Sequence, residues 1–266
     1  MDIQILEHKD IGFITDLQPP DWQDIIPTID FYLNANFCFP IKVTVDHKIV
    51  GIGTAIVHNR TAWLAHIIVH PENRNQGIGS LLTETLVKSL QSKSCDTIYL
   101  IATELGEPVY KKVGFETETE YLFFKETKTS KSYATSDSIV PFSDDFKILI
   151  SNLDQEISGE ERMVQLEQHL SKGSVYIEKN AVEGFYLPTL GDGFIAARTN
   201  SAGQELMKLR LITKENAAFP VDNAGATEFM YKNNFKEFKR AKRMRLGKKR
   251  NWQPANIYNR IGGNLG

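Results

Sequence analysis

The stretch that decides the fold reads Ile67-Ile68-Val69-His70-Pro71-Glu72-Asn73-Arg74-Asn75-Gln76-Gly77-Ile78-Gly79-Ser80-Leu81-Leu82. Its apolar beginning predicts a buried strand, and its leucine-rich end predicts an amphipathic helix. The connecting loop has the pattern Arg-x-x-Gly-x-Gly, and its two glycines let successive main-chain N–H groups converge on one point. The helix start adds unpaired N–H groups and the positive end of its dipole. We therefore predict an anion site suited to a phosphate or diphosphate, with Arg74 adding a charge-assisted contact.

A glycine pair at a strand-to-helix turn also occurs in tight turns that bind nothing, so the loop by itself is a weak signal. It lacks the Lys-Ser/Thr ending of a Walker A loop. It also follows an interior strand late in a meander, whereas a dinucleotide fingerprint belongs to the first βαβ unit. The surrounding elements must therefore decide between the alternatives.

Those elements predict a mixed α/β domain on either side of the loop. An aromatic-rich segment favours a helix, a β-meander follows it, and two further strands and two helices come after. The predicted strands are 41–45, 49–57, 62–69, 97–102 and 117–125, and the predicted helices are 22–33, 80–90 and 108–113.

A second region repeats this order in weaker form, which indicates duplication of one fold. The polar residues 128–138 between the two regions are typical of a linker. We therefore predict domains over 1–127 and 139–247 and a C-terminal tail over 248–266. In the second domain the predicted strands are 175–179, 182–187, 194–197, 217–221 and 238–246, and the predicted helices are 201–211 and 224–233.

Composition excludes several classes of protein. The 266 residues are 41% hydrophobic and carry a formal net charge of −2, which argues against a disordered chain and a generally basic one. Two cysteines, Cys38 and Cys95, cannot form a disulfide framework, and the acidic residues near Met1 do not fit a signal peptide. A cytoplasmic location and no membrane partner are the expectation, because no apolar run reaches the roughly 18–20 residues of a membrane helix.

One local charge pattern points elsewhere. Residues 232–250 contain ten basic residues and one acidic residue, a polarity that nucleic-acid-binding segments also show. A closing strand with one solvated face, neutralising an acidic body, explains the same pattern more simply. Nucleic acid is therefore not the expected partner, although binding through this segment stays an alternative.

The first domain resembles the GNAT superfamily of N-acetyltransferases. The resemblance rests on the loop Arg74-Asn75-Gln76-Gly77-Ile78-Gly79 after the strand 62–69, which matches that family's acetyl-CoA loop. A second motif, Tyr110-Lys-Lys-Val-Gly-Phe115, matches the end of the fourth helix of the family fold. The resemblance implies acetyl-CoA as cosubstrate, and acyl transfer in which an amine attacks a thioester and CoA thiolate leaves. No metal is expected.

The second domain resembles the degenerate C-terminal module of two-domain members of this superfamily. The matching residues are Asn223–Ala226, Asn234-Phe235, Arg243–Gly247 and Gly262–Gly266. Residues 194–211 contain no Arg-x-x-Gly-x-Gly, and Met230 stands where Tyr110 stands in the first domain. We therefore expect tandem GNAT folds, with a catalytic N-terminal domain, a catalytically silent C-terminal one and a single cofactor site.

The resemblance assigns cofactor contacts to the end of the fourth strand and to the loop. Main-chain contacts with the pantetheine arm fall on the strand, and an N–H near Ile68 or Val69 could polarise the acetyl carbonyl. Tyr110 occupies the position from which the family's tyrosine protonates the leaving thiolate. The expected cofactor-binding residues are Ile67, Ile68, Val69, Arg74, Asn75, Gln76, Gly77, Ile78, Gly79 and Ser80.

The general base is less defined. His66 and Glu104 are the nearest titratable candidates, although a lone histidine in an apolar strand is more often a structural residue. Trp22 and Phe31 lie where this superfamily builds its substrate pocket, and they favour an acceptor with an apolar or aromatic part. The acceptor can be a small-molecule amine or a protein lysine, and the sequence does not fix the oligomeric state. A CoA-binding sensor or scaffold without turnover is the remaining alternative.

Overall fold

A computed structural model describes residues 1–20, 22–127 and 133–265. The chain divides into two compact units. Unit 1 comprises Met1–Glu116 with Met244–Lys248, and unit 2 comprises Thr117–Arg243 with Lys249–Gly266. Of the predicted linker 128–138, residues 128–132 lie outside the described residues, and 133–138 form no helix or strand.

Unit 1 is a mixed α/β unit. Its elements are β1 (Asp2–Ile5), α1 (Ile26–Asn34), β2 (Cys38–Val45), β3 (Lys48–His58), β4 (Thr61–Val69), α2 (Ile78–Ser92), β5 (Thr97–Ala102) and α3 (Glu107–Val113). The strand order is β1-β2-β3-β4-β5, antiparallel up to β4 and parallel between β4 and β5. A parallel connection needs a crossover, and α2 supplies it by packing Leu82, Leu86 and Leu90 into the core.

Strands β4 and β5 diverge early. Their parallel register covers only Thr61–Thr97, Ala62–Ile98 and Trp63–Tyr99. Within the described part of the chain, the edge of β4 that faces β5 therefore has no strand partner beyond Trp63. On its other edge, β4 carries a β-bulge where the register with β3 shifts, and His66 there has a φ of +48°. Such a bulge locally disrupts the ladder and changes which way side chains on the strand point.

Unit 2 holds the second set of elements. Its helices are α4 (Lys147–Ser158), α5 (Met163–Leu170), α6 (Asn200–Leu211) and α7 (Ala224–Lys232). Its strands are β6 (Glu116–Glu126, in this unit from Thr117), β7 (Ile139–Pro141), β8 (Ser174–Glu178), β9 (Ala181–Leu187), β10 (Phe194–Ala197), β11 (Asn216–Pro220), β12 (Phe235–Gly247, in this unit up to Arg243) and β13 (Ile257–Asn259). One sheet has the order β13-β10-β9-β8-β7, and β6 lies between β12 and β11.

The predicted repeat is present in the order of the elements. The succession β2-β3-β4-α2-β5-α3 of unit 1 recurs as β8-β9-β10-α6-β11-α7 in unit 2. The core of unit 2 is built from buried side chains of α6, α7 and β11, among them Leu206, Phe219 and Met230. Each unit therefore buries a core of its own.

Four features differ from the sequence predictions. Helix α1 begins at Ile26 and not at residue 22, because Pro27 favours the first turn of a helix. The segment 248–266, predicted as a tail, contains β13 with buried side chains. The contacts group β6 from Thr117 onward with unit 2 and Met244–Lys248 with unit 1, which differs from the predicted bounds 1–127 and 139–247. Helices α4 and α5 were not predicted at all.

Candidate functional site

The loop between β4 and α2 forms a compact turn. Pro71–Asn73 is a short 3-10 turn, and His70 Nδ1 accepts a hydrogen bond of 3.3 Å from Glu72 N. Gly77 has a φ of +84° and caps the start of α2 in the left-handed region. That conformation is strained for most residues with a Cβ, which is why glycine is required here.

Six consecutive main-chain amides of this loop are unused. The first helical bond of α2 is Leu81 N to Gly77 O, at 2.9 Å. The N–H groups of residues 75–80 donate no hydrogen bond to any described residue. These groups lie at the positive end of a 15-residue helix, where unpaired N–H groups are available to an anion. The residues that supply them are Asn75, Gln76, Gly77, Ile78, Gly79 and Ser80.

Arg74 borders this row of amides. Its Nε donates to Val69 O at 3.3 Å, and its side chain is exposed. None of the described residues accepts from the two Nη groups. The guanidinium is therefore fixed at one nitrogen and can bind an anion through the others.

The open edge of β4 lies directly before the loop. Ile68 is buried, and Ile67 and Val69 are half-buried. Val69 also borders the loop, since a Cβ on Gly79 would lie 3.9 Å from a side-chain carbon of Val69 and of Val109. A strand edge without a partner offers main-chain donors and acceptors to a ligand. The end of β4 and the start of α2, to which cofactor binding is assigned, are thus close together in unit 1.

Tyr110 lies on α3 with its ring buried, 9% exposed. Its ring packs against Phe115 and over Gly106, where a Cβ would lie 2.7 Å from the ring. Burial raises the pKa of Tyr110 to about 12, so the phenol is protonated at neutral pH. Its hydroxyl makes no hydrogen bond to a described residue. The hydroxyl is therefore available to a ligand.

The sequence analysis did not identify Gly106 as a residue that the packing of Tyr110 requires. Its φ of −82° is ordinary, so the glycine provides room for the Tyr110 ring and not backbone freedom. The signal was present, because residues 106 and 110 are one helical turn apart. Small residues at that spacing from an aromatic residue indicate ring packing.

His66 stands at the centre of an aromatic cluster. Its Nδ1 lies 3.0 Å from Tyr32 Oη, and its ring meets Trp22 edge-on at 5.7 Å between centroids. Burial lowers the pKa of His66 to about 4, so the imidazole is neutral at neutral pH. Sequence reasoning missed Tyr32, because it lies 34 residues from its partner.

The two residues predicted to bind substrate have different surroundings. Trp22 lies in the loop before α1, where the Gln18 amide holds the loop by donating to Trp22 O at 3.1 Å. Its side chain is 39% exposed beside His66. Phe31 is half-buried and packs its ring against Tyr32 and Phe37, at 6.1 and 6.2 Å. Trp22 is thus accessible to a ligand, whereas Phe31 packs against the ring of Tyr32.

Glu104 lies in the turn between β5 and α3 and is exposed. It makes no hydrogen bond or ion pair with any residue in the described part of the chain. The structure does not join it to the cluster around His66. In unit 2, Met230 at the position equivalent to Tyr110 is fully buried in the apolar core, and a thioether cannot donate a proton there.

At least five of the ten basic residues of 232–250 are paired with carboxylates. Arg240 binds Glu237 and Glu120, and Arg243 binds Glu118 in a buried pair. Further ion pairs join Lys232 to Glu228, Arg245 to Glu116 and Lys248 to Asp96. These basic side chains therefore neutralise acidic neighbours.

No helix among the described residues is both long enough and apolar enough to span a bilayer. No group of three or more histidine, cysteine, aspartate or glutamate residues there is arranged to hold a metal ion.

Known proteins match this chain both in sequence and in structure. The family model described as acetyltransferase (GNAT) domain matches residues 39–117. The curated protein GCN5-related N-acetyltransferase 2, chloroplastic, of Arabidopsis thaliana is 32% identical over 78 residues, which are 28% of this chain and 30% of that protein. The match thus spans less than a third of that relative and lies within one region of it.

Solved structures resemble the whole chain. A protein of Pyrococcus horikoshii described as a proposed acetyltransferase covers 100% of this chain and 95% of its own, with a TM-score of 0.82 and 19% identity. A tandem GNAT protein from the clavulanic acid biosynthesis pathway covers 92% of this chain and 98% of its own, with a TM-score of 0.63 and 12% identity. At these identities the likeness is one of fold.

Proposed function

Because the acetyltransferase (GNAT) domain model matches residues 39–117, we propose that this chain is an acetyl-CoA-dependent N-acetyltransferase. The observation that carries the proposal is the row of six unused amides from Asn75 to Ser80 beside the open edge of β4. A phosphate-bearing ligand with an extended, amide-containing arm matches both features. One such surface is present in unit 1, where the family model matches.

The residues that would hold the cofactor divide into two groups. The loop amides and Arg74 would bind its diphosphate, and the main chain of Ile67, Ile68 and Val69 would pair with its pantetheine arm. When bound, acetyl-CoA supplies a thioester whose acetyl group an amine can accept. Gly77 and Gly79 keep side chains out of the diphosphate position.

Tyr110 is the proposed general acid. Its pKa of about 12 keeps the proton in place at neutral pH, and its hydroxyl has no competing partner among the described residues. Proton donation by a positioned side chain contributes typically 10²–10⁴-fold to a rate. The closed packing over Gly106 and against Phe115 holds the ring in one orientation.

His66 is proposed as the residue that receives the acceptor amine. With a pKa of about 4 it is neutral, so it does not repel an incoming ammonium group. Its Nε2 makes no hydrogen bond to a described residue, while Nδ1 is engaged by Tyr32. A neutral imidazole so held can orient the amine through a hydrogen bond, but a pKa of about 4 makes it a weak base toward an ammonium group. Glu104 remains a second, exposed candidate for the final proton acceptor.

The aromatic surroundings of His66 favour an acceptor whose amine is attached to an apolar or aromatic group. Trp22 offers an exposed ring edge, and Tyr32 and Phe31 form the wall behind it. Both a small-molecule amine and a lysine on a protein fit this description. We place the protein in the cytoplasm, where the buried free thiols of Cys38 and Cys95 stay reduced.

The test is a thiol-release assay with acetyl-CoA over a panel of primary amines, followed by mass detection of the acetylated product. We expect release with aryl- and alkylamines, and none from the variant Gly77→Asp. Binding of acetyl-CoA without thiol release from any amine would favour a sensor or scaffold instead. No binding of acetyl-CoA by the folded protein would overturn the proposal.

A further inference from the structure

In unit 1 the gap between the diverging strands β4 and β5 is open. In unit 2 the equivalent gap is filled by a segment of unit 2 itself. In unit 2, β10 and β11 correspond to the diverging strands β4 and β5, and no ladder joins them in the described part of the chain. Strand β13 lies there instead. It pairs antiparallel with β10 through Ile195–Asn259 and Ala196–Ile257. Residues 254–265, here called the closing segment, therefore occupy the place equivalent to the open edge of β4.

The closing segment is bonded to the second side of the gap as well. Arg260 N donates to Ala218 O of β11 at 2.8 Å. The side chain of Asn259, 0% exposed, accepts from Ala218 N at 3.0 Å and donates to Gly193 O at 2.7 Å. Buried amide groups satisfied on both ends fix a peptide in one register.

A second buried asparagine binds the segment from the start of α7. Asn223 caps this helix by accepting from Ala226 N at 2.8 Å. Its Nδ2 donates to Ile257 O at 3.0 Å. The residue that starts the helix thus also holds the main chain of the segment, which accounts for Asn223 in the motif 223–226.

Apolar side chains complete the fit. Ile257, Tyr258, Ile261 and Leu265 are all buried. The ring of Tyr258 lies directly on Gly203 of α6, where a Cβ would come within 2.2 Å of the ring, and its hydroxyl donates to Asn200 Oδ1 at 3.2 Å. The absence of a side chain at Gly203 therefore leaves the space that the Tyr258 ring occupies.

The start of α6 offers little to a phosphate. Only Arg198 and Thr199 separate β10 from α6, and the Thr199 hydroxyl accepts from Ala202 N. Asn256 of the closing segment covers this turn by donating to the carbonyls of Ala197 and Arg198, at 2.7 and 2.9 Å. The closing segment therefore occupies the gap between β10 and β11 and also covers the turn between β10 and α6.

We propose that the closing segment is a built-in peptide ligand of the second unit, held by main-chain pairing in the groove between β10 and β11. It takes the position that in the first unit is open to a cofactor, so that unit 2 is closed to acyl-CoA. The groove is a peptide-binding site of the strand-addition type. This inference does not depend on the reaction proposed for unit 1.

The test uses the sign of a thermal shift in the full-length chain. Alanine is a better helix former than glycine, so Gly203→Ala should raise the melting temperature if nothing lies on residue 203. With Tyr258 seated there, we expect a fall of at least about 5 °C. In a Tyr258→Ala background the same change should leave the melting temperature unaltered or raise it. Gly12→Ala, whose Cβ would meet no atom within 4 Å, is the control and should cause no comparable fall.

Hydrogen exchange on the unaltered protein gives an independent readout. The amide of Arg260, and that of Asp192, which donates to Ile261 O, should exchange as slowly as amides in the interior of β9. An acetyl-CoA titration should reach no more than one equivalent per chain. A rise in melting temperature for Gly203→Ala alone, rapid exchange at Arg260, or a second equivalent of bound acetyl-CoA would each overturn the proposal.

Discussion

Tyr32 Oη and His66 Nδ1 lie 3.0 Å apart, and this bond ties helix α1 to the bulged residue of β4. Tyr32 is 1% exposed, so the bond forms away from competing water. Among the described residues, the bond leaves His66 Nε2 without a partner. The orientation of the imidazole is therefore set by a residue outside the strand that carries it.

The low pKa of His66 predicts a loss of stability in acid. The folded value is about 4, below the ordinary 6.5, so the unfolded chain binds the proton first as the pH falls. The stabilisation is complete above pH 6.5 and declines between pH 6.5 and 4, by at most roughly 3 kcal/mol. Urea unfolding of wild type and His66→Gln at pH 7, 5.5 and 4 measures how the free energy of unfolding declines with pH. An identical decline in the variant would contradict the assignment.

Gly77→Asp should abolish acetyl-CoA binding, since a carboxylate would stand in the row of amides. The φ of +84° makes any side chain costly there, and this strain must be separated from the effect of charge. Gly77→Asn is the matched control, because asparagine tolerates the left-handed region and is uncharged. Calorimetry should show weak but measurable binding by the Asn variant and none by the Asp variant. Equal affinity of the Asp variant and wild type would contradict the anion site.

Tyr110→Phe should lower kcat by about 10²-fold or more, and leave the Kd for acetyl-CoA within a few fold. The hydroxyl makes no hydrogen bond to a described residue, so removing it should not lower the melting temperature. The comparison needs kcat, Kd and a melting curve for the same preparation. Unchanged turnover would mean that water or another group protonates the leaving thiolate.

Trp22→Ala should raise the KM for the acceptor while leaving the Kd for acetyl-CoA unaltered. The reason is that the indole lies exposed beside His66 in the pre-α1 loop. Phe13→Ala removes another exposed aromatic ring of unit 1 and serves as the control. Equal effects of the two substitutions on KM would remove Trp22 from the acceptor site.

The sequence was most informative where local pattern decides the structure. The fold class, two GNAT folds in tandem with mixed α/β elements, is confirmed by the structural neighbours. Strands β5 and β10 have the predicted bounds, because each is a short apolar run between turn residues. The loop before α2 could be predicted because its glycines and the helix that follows are adjacent in the chain.

Features that depend on distant residues could not be predicted. The Tyr32–His66 bond joins residues 34 positions apart, and β13 is a three-residue strand whose partner β10 is distant in the sequence. Helix α4 was missed although Ile150, Leu153 and Ile157 have helical spacing and are buried. Its exposed Ile148 and Leu149 weaken that pattern by spreading apolar residues around the helix.

The division of β12 has a consequence for the order of folding during synthesis. Met244 belongs to unit 1 and lies in the same apolar cluster as Tyr110 and Phe115. A ribosome makes residues 117–243 after Glu116 and before Met244. Although the N-terminal domain of a nascent chain generally folds first, here the core around Tyr110 must wait for its last member. A fragment ending near Lys128 lacks that member however long it is given to fold.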